Sequence, residues 1–138
     1  MMAHTKLSPA QAGFVTTQRI AHLATVTEAG EPHVVPISPV LDEDRIVFAS
    51  DTETQKARNL RGDPNVAICF DEYTEAWPEL KQLVVFGRAL VIPSGPEFTR
   101  DRGLLYEKFQ QYEREFPIEE GDSLIVEVAI ERVSAFGL

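Results

Sequence analysis

The stretch "FASDTETQKAR", residues 48 to 58, collects hydroxyls at Ser50, Thr52 and Thr54, an amide at Gln55, and two cations, Lys56 and Arg58. The apolar run "RIVFAS" leads into it as a strand. Gly62 and Pro64 follow in the order that ends a helix, so the polar groups gather at a helix start. Free backbone N–H groups and the helix dipole favour an anion there, and the cations supply opposite charge. A phosphate suits that chemistry. The same spacing also reads as plain capping, with Thr52 and Gln55 as a capping box and the two cations on a solvated face. Spacing alone leaves both readings open.

A second stretch, "EPHVVPISPV", places Pro32, Pro36 and Pro39 inside an otherwise β-like apolar run. Proline cannot donate to a ladder, so the run belongs at an edge or a bulge. Its free polar groups could face a flat heterocycle whose phosphate sits on the next helix. A plain edge strand guarded by proline against aggregation is the other reading.

The remaining chemistry is sparse. There is no metal-spaced Cys and His cluster, no glycine-rich phosphate loop and no nucleophile motif, so no catalytic side chain is expected. His4 carries no role, and His22 reads as a satisfied, partly buried barrel residue. Cys69, alone in the chain, reads as a small core residue without a disulfide. A net charge of -9 argues against nucleic acid and anionic membrane as large partners. No run approaches the roughly 18 apolar residues of a membrane span, and the first residues lack a secretory core, so a cytoplasmic location is expected.

The elements that must position these groups form one domain over residues 1–138. Ser8 and Pro9 start a short helix. Residues 19 to 27 and 32 to 40 are expected to pair across a turn at Gly30. "RIVFAS", "NVAICFDEY" and "KQLVVFGRALVIP" supply three more strands. Residues 95 to 116 read as one long helix, with Phe98, Leu105, Phe109, Tyr112 and Phe116 on a single core stripe. "SLIVEVAIERVSAFGL" closes the chain as a partly covered strand. The expectation is mainly β with flanking helices, a six-stranded antiparallel barrel.

In order and spacing, "RIAHLATVTEAGEPHVVPI", "DRIVFASDTETQKARNLRGDPNVAICFD" and "VVFGRALVI" resemble the flavin-binding split barrels related to pyridoxamine 5′-phosphate oxidase. The resemblance implies a homodimer of six-stranded split barrels with two cofactor sites at the interface. It sets the backbone of His33, Val34, Val35, Pro36 and Ile37 against the ring, and Ala49 and Ser50 along the ribityl chain. Thr54, Gln55 and Lys56 would hold the phosphate, with Arg58 as a further contact. His33 stands where pyridoxamine phosphate oxidases carry a phosphate-binding arginine. The chain also ends at "RVSAFGL" without their basic C-terminal segment, so pyridoxamine phosphate is not the expected substrate. Trp77 would fill the dimer interface or close over the neighbour's ring.

The function so implied is an oxidoreductase using flavin mononucleotide (FMN), with hydride passing to or from a small organic substrate. The N–H groups of residues 34 to 37 would stabilise the reduced ring. The alternatives are a deazaflavin (coenzyme F-420) reductase, or a non-catalytic flavin- or tetrapyrrole-binding protein. The acidic balance leans towards FMN, because the deazaflavin carries a polyglutamate tail.

Overall fold

Apolar residues at every second position build the inner wall of one antiparallel sheet. In a computed structural model describing residues 7–138, the strands are β1 (Ala21–Val26), β2 (Pro32–Ile37), β3 (Val40–Asp42), β4 (Arg45–Asp51), β5 (Asn65–Glu72), β6 (Lys81–Ile92) and β7 (Ser123–Phe136). The sheet runs in the order β2-β1-β5-β6-β7-β4-β3. His4 lies outside the described residues. The strands number seven rather than six because the expected strand at 32 to 40 divides at Ser38 and Pro39.

That division closes the barrel. β2 and β3 are opposite ends of the sheet, and a flat sheet of seven strands would hold its edges roughly 29 Å apart. The link through Ser38 and Pro39 spans at most about 11 Å. The sheet therefore curls until its edges approach, although no ladder joins them among the described residues. Lys108 ties this seam, its Nζ donating to the carbonyls of Gln18 at 2.7 Å and Pro39 at 2.8 Å. Burial, reinforced by Arg19, pushes its pKa down to about 8.

Curvature also needs a bulge. The β6–β7 register slips between Phe86 and Gly87, leaving Glu131 as the extra residue on β7. A Cβ on Gly87 would collide with the Ala129 carbonyl, so glycine allows the close approach. Inside, Leu23, Ile37, Phe48, Ile68, Phe70, Val85 and Val128 form the main core, joined by Phe14 and Val15 of helix α1 (Pro9–Thr17) and Leu60 of helix α2 (Gln55–Gly62). Ser8 caps α1, as its sequence predicts, and it does so in a reciprocal box with Gln11.

The expected long helix is broken. It becomes α3 (Pro96–Lys108) and α4 (Gln111–Glu115), separated at Phe109 and Gln110. Phe98 and Leu105 pack α3 over Val47 of β4 and Ile125 of β7 in a second core, so β7 is buried on both faces from Ser123 to Val128 and largely exposed beyond Glu131, a partly covered strand as expected. Below α3 lies an ionic cluster in which Arg45 bonds Asp42 at 2.7 Å and Glu127 at 2.8 Å, while Arg100 bonds Asp42 and Asp101 at 3.0 Å. Burial, then a hydrogen bond with Asp101, pushes the Glu127 carboxyl up to about 7. His22 is exposed rather than partly buried and Cys69 is half-buried rather than in the core, both lying on the outward side of the sheet, which corrects the two expectations.

Candidate functional site

The Ser50 and Thr54 hydroxyls are 2.8 Å apart where β4 gives way to α2. Thr54, rather than Thr52, is the N-cap, and its side chain accepts from the Ala57 N–H at 3.2 Å. The expected box with Gln55 does not form, because the chain needs two more residues to turn off the strand. By helix geometry, the N–H groups of Gln55 and Lys56 have no partner within α2. A cleft of about 400 Å³ opens beside them, lined by Ala49, Ser50, Asp51, Thr54 and Lys56 on one side and by Tyr112, Glu115 and Phe116 on the other. A neighbouring cavity of about 230 Å³ shares those last three residues and reaches Ser38 at the barrel seam. Together they form a groove running from the α2 N-terminus to the end of β2.

Ala49, Ser50, Thr54 and Lys56 are thus brought together. Gln55 is not: its amide donates to Asn59 Oδ1 at 2.7 Å and accepts from Arg58 at 3.0 Å. Lys56 and Arg58, two residues apart, sit on different sides of the helix. Arg58 lines a separate cavity of about 360 Å³ with Thr27 and Asp63, and also donates to the Glu53 carbonyl at 3.2 Å.

The β2 strand is an edge, as its prolines predict, and the hydrogen-bond alternation says which groups it offers. Thr27 N–H donates to the Glu31 carbonyl at 2.8 Å, so Thr27 and Glu31 form a bonded pair. Alternation along the ladder then makes His33, Val35 and Ile37 the residues bonded to β1, while Pro32, Val34 and Pro36 turn their backbone outward. The free edge therefore offers one N–H, that of Val34, rather than all three that residues 34 to 37 carry, Pro36 having none. The His33 side chain points inward opposite Thr25, half-buried, and its Nδ1 is buried without a partner. Thr25 instead accepts from Asn59 at 2.9 Å. Trp77 stands away from the groove in the β5–β6 hairpin, exposed, its Nε1 donating to Tyr73 at 3.3 Å.

Tyr112, Glu115, Phe116 and Ser38 escape sequence reasoning. The aromatic stripe runs on unbroken in the sequence, and "FQQY" contains neither glycine nor proline to mark the break.

The fold is that of a small split-barrel protein, with a groove that opens at the start of a helix. The chain belongs to the pyridoxamine 5′-phosphate oxidase family, whose model matches residues 7–137. It is 33% identical over 87 residues to a 5a,11a-dehydrotetracycline/5a,11a-dehydrooxytetracycline reductase from Streptomyces rimosus, a match spanning 59% of this chain and 61% of that relative. Among solved structures, a conserved hypothetical protein from Mycobacterium tuberculosis superposes with a TM-score of 0.80 at 21% identity, over 98% of this chain and 88% of that one. A heme binding protein from Mycobacterium smegmatis gives 0.79 at 19% identity, over 96% and 55%. An F420 reductase gives 0.75 at 23% identity, over 93% and 98%. These structures share the fold.

Proposed function

We propose that this protein is an FMN-dependent oxidoreductase acting on a small organic substrate. The observation that carries the reading is the cleft that gathers Lys56, the Ser50 and Thr54 hydroxyls and the first N–H groups of α2 at one end. FMN, when bound, supplies the hydride chemistry. Lys56 would neutralise the phosphate, Ser50 and Thr54 would orient it, and Ala49 would border the chain leading from it. The groove would then carry the ring towards Ser38 and the free edge of β2. There the Val34 N–H would be the backbone donor for the added electron density of the reduced ring. Asp51 and Glu115 are the carboxylates lining the cleft, against the single cation Lys56. That balance suits one terminal phosphate better than a polyanionic extension.

A second copy of the chain completes this reading. The outward faces of β2, β1, β5 and β6 present Val34, Ala24, Ala67 and Phe86 along one row, and Pro36, His22, Cys69 and Val84 along the next. Val34 is 61% exposed and Trp77 is 64% exposed. A mostly apolar, open sheet face of this kind supports a homodimer packed through it, with Trp77 at the interface.

A deazaflavin reductase is the second reading, drawing on the F420 reductase that shares the fold. Binding without turnover is the third, drawing on the heme binding protein. An absorption spectrum of the purified protein, then titration of the stripped protein with FMN and with coenzyme F-420, separates them. Tight FMN binding and turnover with a nicotinamide donor support the proposal. Selective F-420 binding, or binding without turnover in any donor assay, overturns it.

A further inference from the structure

The five residues Phe98, Leu105, Phe109, Tyr112 and Phe116 would share one stripe on an unbroken helix, yet only the first three are buried, while Tyr112 is half-buried against the edge of the second core. Phe98 and Leu105 are fully buried and Phe109 is 5% exposed, whereas Phe116 is 76% exposed. The break at Phe109 redirects the last two. Tyr112 N–H donates to the Phe109 carbonyl at 3.1 Å, and Phe116 N–H donates to the Tyr112 carbonyl at 2.9 Å, so α4 is set by its own short bonds. The far end is pinned as well: the Tyr106 hydroxyl accepts from Ile118 N–H at 2.9 Å, and Arg102 donates to the Ile118 carbonyl at 3.2 Å. Tyr112 is further held against Phe109, edge to face with centroids 6.0 Å apart. An exposed phenylalanine fixed at both flanks gains nothing from water.

Both cavities of the groove are walled by these residues. An aromatic wall facing a cleft with a phosphate cradle at one end matches a ligand that is flat at one end and charged at the other. Resting on the FMN reading, we infer that α4 is the stacking wall of the groove: Tyr112 and Phe116 pack against the planar ring of the cofactor in the chain that also holds its phosphate. The wall sets specificity by shape, while Lys56 sets it by charge.

The test is fluorescence titration of the stripped protein with FMN, comparing wild type with Tyr112→Phe, Phe116→Ala and Trp77→Phe. A stacked tyrosine quenches flavin emission by donating an electron to the excited ring. The expected result is quenching on binding that Tyr112→Phe relieves at least threefold with little change in affinity, and that Trp77→Phe leaves in place. Phe116→Ala is expected to weaken FMN binding about tenfold without changing the sedimentation of the protein. If FMN binds tightly and in a Lys56-dependent way, but quenching ignores Tyr112 and affinity ignores Phe116, the wall is overturned and the FMN reading survives. The wall is also overturned if Phe116→Ala splits a dimer and leaves affinity intact. If wild type binds no FMN, the cofactor reading itself fails.

Discussion

The two sides of this barrel solve the same problem differently. On β3, β4 and β7 the outer face lies beneath α3, so Ile46, Val47 and Phe48 are buried in succession, as are residues 123 to 128. On β2, β1, β5 and β6 the outer face carries no helix among the described residues, and burial alternates. Covering demands apolar side chains in both directions and fixes the strand. Leaving the face open retains small or modestly apolar residues, together with a free edge whose prolines discourage further pairing. The groove lies where the two regimes meet, between the end of β4 and the seam to β2.

The largest effect should come from stripping the covered half. Phe98→Ala removes a fully buried ring between α3 and the sheet, and is expected to cost about 3–5 kcal/mol in urea unfolding. It should also loosen α4, which follows directly from α3. A cost below about 1 kcal/mol would mean that α3 does not anchor this half.

At the junction, Lys56→Ala should weaken FMN binding at least tenfold, through loss of a charge-assisted contact worth about 1.5–3 kcal/mol. Arg58→Ala should change affinity less than threefold, since Arg58 lines a different cavity. Equal losses would restore Arg58 to the phosphate site and undo the division of α2 into two faces.

This contrast shows what the sequence could convey. Alternation and proline placement made the barrel and its edge legible, because both are local consequences of backbone chemistry. The gathering of Ser50, Thr54 and Lys56 was legible, because their types announce a helix start. That Gln55 and Arg58 turn away from the cleft was not legible, because their internal partners, Asn59 and the Glu53 carbonyl, depend on where the helix begins, and that lay two residues later than expected. The backbone donors of β2 were overcounted because the direction of each N–H depends on the pairing phase with β1. The α3–α4 break was invisible because packing, not a breaker residue, decides it.

The covered half also holds a pH dependence close to neutrality. Glu127, on β7 beneath α3, has its carboxyl raised to about 7, so the native state holds this proton more tightly than the unfolded chain. Its contribution to stability is complete below the ordinary value near 4.5 and is lost as pH rises through 7. Glu127→Gln keeps a neutral side chain beside Asp101 at every pH. The variant should match wild type near pH 4.5 and exceed it at pH 8 by about 1–2 kcal/mol, after allowance for screening by solvent and by the facing Arg45. Urea unfolding at both values checks this. Equal stability curves would show that Glu127 is ionised throughout.

The smallest effect on folding is expected on the open face, and it sharpens the comparison most. Val34→Ala should leave the stability of a single chain within about 0.5 kcal/mol, because the side chain is largely exposed and rests on no core residue. Val34→Asp should fold equally well, yet in a homodimer packed through this face it would bury a charge with no partner. Sedimentation at micromolar concentration should then show wild type as a dimer and Val34→Asp as a monomer. Cys69, on the same face, should resist alkylation in the first and react in the second. The covered face offers no such separation, since a charge at Val47 would enter the second core and unfold the chain before any association could be read. If Val34→Asp sediments with wild type and Cys69 reacts equally in both, the open face is not where two copies meet, and its apolar rows need another explanation.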